Sequence, residues 1–225
     1  MNKTRSIPHI FGSLVLAAAC AAAGAQPTNL YRAGPTADAS FLRFVDGTGG
    51  GVSASSSAGT VTLTAQQPST AFSAVQSKWP VKGVLAKDGK QVPINLQLQP
   101  SEFVTVVALA GPDGLTSQVL REQPDDFNAL KTSLAFANLA EPTCAAAGLK
   151  VAGRETSLFD KVPSAMPQRR LLNPVKLSVQ LTCGGKPLGA PLALGQLEAG
   201  ERYSVLVVPD ATGARLLFTH DTLVP

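Results

Sequence analysis

The feature that most limits what this chain can fold into is its punctuation. From Phe41 onward, short apolar or alternating runs are interrupted again and again by Gly, Pro and Asp, and no long stretch repeats its apolar residues at the helical period. Runs of this kind, bounded by turn formers, are strands, and a succession of them builds sandwiches rather than helical bundles. Phe41-Leu42-Arg43-Phe44-Val45 ends at Asp46-Gly47, Val61 to Thr64 alternates, and Val81 to Ala86 turns at Asp88-Gly89 into Gln91 to Leu98. Asp-Gly marks a hairpin because both residues accept the positive φ that a tight turn between twisted strands requires. Glu102 to Ala110 then runs into Gly111-Pro112-Asp113-Gly114, and Leu115 to Arg121 returns.

Between Glu122 and Leu130 the alternation stops, and Gln123-Pro124-Asp125-Asp126 gathers a proline with paired acids. This divides the chain into a first β-sandwich domain over residues 26–122, a linker at 123–130 and a second β-sandwich domain over 131–225. In the second, Thr132 to Leu139 closes at Glu141-Pro142, and Val175 to Thr182 alternates before Gly184-Gly185. Leu188 to Leu197, Tyr203 to Val208 and Arg215 to Phe218 supply the remaining strands. Arg154 to Pro167 is the least regular stretch and reads as a long loop. Each half has the length of an immunoglobulin-like domain, and both end in a strongly apolar strand, a turn with Asp and Gly, and a last strand. The expected fold is all-β: two tandem immunoglobulin-like sandwiches of similar build.

Residues 1–25 read as a signal peptide. Lys3 and Arg5 precede an apolar stretch from Ile7 to Ala19, too short to span a bilayer, and Ala23-Gly24-Ala25 suits cleavage before Gln26. Cys20 leaves open a lipoprotein reading, although Ala17 stands where a lipoprotein signal usually carries Leu. Export to a periplasm is the expectation. Of the three cysteines only Cys144 and Cys183 follow the leader, and in an oxidising compartment they are expected to pair; two buried thiols are the alternative. The formal charge of +4 includes Lys3 and Arg5, so the remainder is close to neutral and gives no support to a nucleic-acid surface.

Catalytic chemistry is hard to assemble from what remains. Nucleophilic hydrolysis on serine needs a base in reach, and His220 is the single histidine beyond the leader, without a Gly-x-Ser-x-Gly elbow to accompany it. Cys144, Cys183 and His220 lack the close spacing that holds zinc. Gly47-Thr48-Gly49-Gly50-Gly51 resembles a phosphate loop in composition alone, because no helix opens after it. No catalytic residue, metal or cofactor is therefore expected. Binding residues are better represented: Trp79, placed before Pro80 between strands, and the pair Arg169-Arg170, whose planar guanidinium groups favour interfaces. Tyr31 and Tyr203 join Trp79 as candidate sugar platforms.

Several segments, in order, resemble one family. Leu30-Tyr31-Arg32-Ala33-Gly34-Pro35-Thr36 with the strand at Phe41 is similar to the opening of AlgF, an accessory protein of alginate O-acetylation. Lys131-Thr132-Ser133-Leu134 with Asn138-Leu139, Arg169-Arg170-Leu171-Leu172-Asn173-Pro174-Val175-Lys176-Leu177, and Leu197-Glu198-Ala199-Gly200-Glu201 resemble later blocks of that family. The resemblance implies a periplasmic protein of two β-sandwiches that is needed for acetylation without being the transferase. It implies as partners a membrane-bound acyltransferase and a periplasmic O-acetyltransferase, with Asn173 joining Trp79, Arg169 and Arg170 as a candidate contact. Cys144, Cys183 and the segment from Ala145 to Gly153 depart from the pattern, and the polymer is open between alginate, acetylated cellulose and another exopolysaccharide. A carbohydrate-binding module that presents polymer to an enzyme is the alternative, and an esterase using His220 is a third.

Overall fold

The computed structural model describes residues 39–56, 59–112, 114–124 and 128–224. The expected signal peptide, Cys20 and Tyr31 lie outside the described residues. The first half contributes β1 (Ala39–Asp46), β2 (Val52–Ser56), β3 (Gly59–Leu63), β4 (Ser73–Gln76), β5 (Val81–Lys87), β6 (Lys90–Leu96), β7 (Phe103–Gly111) and β8 (Gly114–Glu122). The second contributes β9 (Thr132–Asn138), β10 (Ala147–Val151), β11 (Ser157–Val162), β12 (Gln168–Leu172), β13 (Val175–Cys183), β14 (Lys186–Leu197), β15 (Arg202–Asp210) and β16 (Gly213–His220). The chain is all-β, and its sheets pair into two sandwiches.

The halves repeat each other strand for strand. Sheet order β4-β1-β7-β8 recurs as β12-β9-β15-β16, and β3-β2-β5-β6 recurs as β11-β10-β13-β14. Even the parallel strand pairing of each half is shared, β1 beside β7 and β9 beside β15. The similar build read from the sequence is thus a full repetition of topology.

Alternation along the strands assigns the layers. On β1 and β7, Leu42, Phe44, Val104, Val106 and Ala108 enter the first sandwich's core, while Val45, Val107 and Leu109 point the other way. They meet Ala137, Leu139, Leu206 and Val208 of the second half, whose opposite faces fill the second core. The inner sheets therefore stack on each other, and the molecule has four layers. Strands covered on both faces lose the alternation that marks a half-exposed strand, and so β1, β7, β9 and β15 read as nearly unbroken apolar runs. The outer strand β13 keeps the alternation, with Leu177 and Val179 inward and Lys176 and Ser178 outward. A fully buried Val or Leu contributes roughly 1.5–3 kcal/mol, so the shared inner layer is a substantial part of the fold's stability. Gly47 marks how closely the halves approach: a Cβ there would lie 2.8 Å from Leu109 Cδ2 and 3.1 Å from Val208 Cγ1.

The turn chemistry behaves as the sequence requires. Asp88 and Gly89 take φ of 49° and 77°, joining β5 to β6. Cys144 and Cys183 form a disulfide with Cα atoms 5.2 Å apart, tying the turn before β10 to the end of β13. Closing a loop of this size stabilises by about 4 kcal/mol in the chain-entropy picture. The stretch from Arg154 to Pro167 is not a long loop, because β11 runs through it and buries Phe159 and Val162. Its pairing with β10 is irregular, and Lys161 sits at φ 48°, which scrambles the alternation that would have revealed a strand.

Candidate functional site

Two features stand out from the scaffold: a charge network sealed between the inner sheets, and an apolar cleft open at the side of the first sandwich.

The network is built from both halves. Arg43, in mid-strand on β1, is 1 % exposed and carries its guanidinium out of its own sandwich. Its Nε donates to Thr105 Oγ1 at 2.9 Å, Nη2 to Ser204 Oγ at 3.1 Å and Nη1 to Asp221 Oδ1 at 2.5 Å. Asp221 Oδ2 accepts from Ser204 Oγ at 2.7 Å and from Arg169 Nη2 at 3.0 Å. Arg169 completes the set by donating from Nε and Nη2 to the two oxygens of Glu122, at 2.9 and 3.2 Å. Two arginines thus face two carboxylates: Arg43–Asp221 and Arg169–Glu122 cross between the sandwiches, and Arg169–Asp221 joins those two pairs from within the second. Glu122 and Asp221 occupy equivalent places, Glu122 ending the last strand of its half and Asp221 following the last strand of its own, each opposite the start of the parallel-paired strand.

Burial by itself would raise the Asp221 carboxyl, but Arg43 and Arg169 outweigh it and hold the group below the usual carboxylate range. For Arg169, burial works toward losing the proton, and Glu122 followed by Asp221 reverses this and fixes the positive charge. A buried set of this kind adds little over a well-packed apolar interface, yet removing one member leaves an uncompensated charge. Its arrangement fixes how the halves register on each other, and Arg215, donating to the Gly47 carbonyl at 2.9 Å, adds another cross-link.

The cleft has a simple physical origin. In the outer sheet of the first sandwich Ala54 pairs with Val61 on one side and Leu85 on the other; the matching ladder of the second sandwich reads Leu149 with Phe159 and Leu181. Where the second half places Leu and Phe, the first has Ala and Val. Phe159 is fully buried and stacks on Phe136 at 5.4 Å, with the Arg170 guanidinium 5.5 Å above its ring. Val61, by contrast, is 39 % exposed. The result is a cleft of about 510 Å³ between β3 and β4, reaching the core residues Leu42, Phe44 and Ala54, with Trp79 and Pro80 among its walls. Trp79 is 64 % exposed, with Lys78 Nζ 5.5 Å from its ring.

The expected binding residues are dispersed. Trp79 lies at the cleft. Arg169 and Arg170 belong to β12 rather than to a loop, and a strand sends successive side chains to opposite faces. Arg169 is consequently committed to the buried network and is not an outward docking group, whereas Arg170 is exposed over Phe159. Asn173 is exposed and accepts from Lys131 Nζ at 2.5 Å. Tyr203 is buried, stacked on Phe218 and donating no platform to solvent. His220 Nε2 meets Glu201 Oε2 at 2.7 Å, and its ring stacks on Tyr203 at 4.8 Å. Sequence reading overlooked Arg43 and Asp221, although an arginine inside an otherwise apolar strand is a signal of a buried ion pair. Among the described residues no group of His, Cys, Asp and Glu is placed to hold a metal ion, and no helix is long and apolar enough to cross a membrane.

No family model matches the chain, and no curated protein sequence does. Among solved structures it is similar to the C-terminal domain of AlgF from P. aeruginosa, with 22% identity and a TM-score of 0.34, over 40% of this chain and 98% of that one. It is also similar to a candidate cell adhesion protein from Bacteroides uniformis, with 11% identity and a TM-score of 0.29, over 84% of this chain and 99% of that one.

Proposed function

We propose that this chain is a periplasmic, non-catalytic adaptor required for O-acetylation of a secreted exopolysaccharide, alginate or acetylated cellulose, where it links a membrane-bound acyltransferase to periplasmic O-acetyltransferases. The observation that carries the binding part of this reading is the division of labour in the molecule: buried polar groups are spent on locking two sandwiches together, while one apolar cleft is left open beside an exposed tryptophan. A body with an unfilled cleft suits holding something. The Cys144–Cys183 disulfide fits an oxidising compartment. The acetylation part rests on the ordered sequence blocks that resemble the AlgF family. The test is removal of the gene from a producing strain: O-acetyl content of the polymer should fall to background and return with the intact chain. Unchanged acetyl content would end this reading.

Trp79 also supports a second reading, a carbohydrate-binding module that presents polymer to an enzyme, because an exposed aromatic face is what sugar rings stack on. Titrating polymer against the emission of Trp79, the chain's one tryptophan, decides it: quenching is expected, and a flat titration removes the idea.

A further inference from the structure

The open side of the first sandwich has more than an apolar cleft. Its walls are two sheet edges: β3 is the outer strand of its sheet and β4 the outer strand of the other, so among the described residues each pairs with a neighbouring strand on one side. One end of the β4 edge already carries a partner. The tail after β16 crosses to it, with Phe72 N–H donating to the Thr222 carbonyl at 2.7 Å and Val224 N–H to the Phe72 carbonyl at 2.8 Å, so that Leu223 runs parallel to Phe72. Beyond that point Ser73 to Gln76 continues as an edge with no strand upon it among the described residues. An unpaired edge is a template for another extended chain.

From this juxtaposition we infer that the first sandwich takes up an extended segment of a partner protein, which continues the tail's pairing along β4 and places a large apolar side chain in the cleft. It rests on the adaptor reading for the existence of a partner and deepens it by naming the surface. Strand addition supplies affinity through main-chain hydrogen bonds and specificity through pockets for alternate side chains, and here the two lie side by side. The pocket asks for hydrocarbon, since Leu42, Phe44 and Ala54 reach it and none of the side chains lining it is charged. A sugar ring would have to desolvate its hydroxyls against that surface. Charge selects the flank of the segment: Lys78 and Lys82 are exposed on either side of Trp79-Pro80, and neither has a carboxylate partner among the described residues, so the segment carries acidic residues next to its apolar anchor.

The test uses the full chain after its leader and a blocked peptide with Phe and Leu at alternate positions, Thr between them and two Asp at one end. Trp79 emission reports occupancy. A saturable blue shift is expected, absent when Ala replaces Phe and Leu. Val61→Phe, which puts into the first sandwich the residue that closes the second, should weaken the peptide by at least about tenfold. Lys82→Glu, a surface change that keeps the fold, should weaken it by about threefold, a result that does not depend on how the Val61→Phe protein folds. The inference is overturned by a flat response to the apolar peptide, by equal affinity in the Val61→Phe protein, by a response to a uronate oligomer in place of the peptide, or by a blue shift that tracks the protein's own concentration, which would identify a second copy as occupant. Acetylation separates the two readings. Peptide binding with normal acetylation in the deleted strain removes the acetylation role and keeps the cleft. Full restoration of acetylation by a Val61→Phe chain that no longer binds the peptide removes the cleft and keeps the adaptor.

Discussion

The two sandwiches share a strand order and differ in how their open sides are finished. In the second, Phe159 and Leu149 close the gap between the sheets, Arg170 lies over Phe159, and the Cys144–Cys183 bond ties the neighbouring turn. In the first, Val61 and Ala54 hold the equivalent places and the core is reached from outside. Repetition of a topology therefore leaves the choice between a sealed and a receptive body largely to a few side chains, because the strand order is shared and the fill is not. It also suggests a division of roles, with the second half as anchor and the first as receptor.

The largest expected effect comes from making the second sandwich resemble the first. Phe159→Ala should cost about 3–5 kcal/mol in chemical denaturation, since the sheets cannot collapse onto the void. A loss below about 1 kcal/mol would mean that Phe159 is not the seal. Next comes the lock between them. Arg43→Ala leaves Asp221 buried with Arg169 as its sole cationic partner and should cost roughly 3 kcal/mol. It should also separate the unfolding of Trp79, which reports on the first sandwich, from that of the whole chain followed by circular dichroism. Coincident transitions in the variant would show that the apolar inner layer alone couples the halves.

The lock should also appear in acid. Because the Asp221 carboxyl is held below its unfolded value, the stability it contributes is complete above about pH 4 and is lost as pH falls through the folded value. The wild-type chain should therefore lose stability below that point more steeply than Asp221→Asn, measured from denaturant midpoints across the range. Parallel curves would separate Asp221 from the acid response. The smallest effect is the reverse exchange, Val61→Phe in the first sandwich. Filling the cleft should raise stability by roughly 0.5–2 kcal/mol, seen as a higher denaturant midpoint. A decrease would show that the cleft cannot accept the ring.

Sequence reading recovered much of the fold but little of the site. Local chemistry made the strands at Val81, Val175 and Tyr203 legible, and Asp88-Gly89 marked its hairpin. The short strands β4, β10 and β12 escaped because each has few residues with which to display a period, and β11 escaped because its irregular pairing breaks the period. Trp79 was recognisable as an exposed aromatic next to a proline. Arg169 was not recognisable as an interior residue, because its partners Glu122 and Asp221 are 47 and 52 residues away along the chain.

What the sequence determined by itself was the β class and two halves of similar build, both consequences of short-range turn chemistry, alternation and composition; the full repetition of topology and the pairing of the two late cysteines came from the structure. What the tertiary structure alone decided was which second face each strand would cover. Alternation says that a strand has two sides and says nothing about the neighbour that will meet each one. Arg43 faces Asp221 and Ala54 lies beside Val61 because of pairings between distant segments, so both the lock and the cleft exist only once the sheets have stacked.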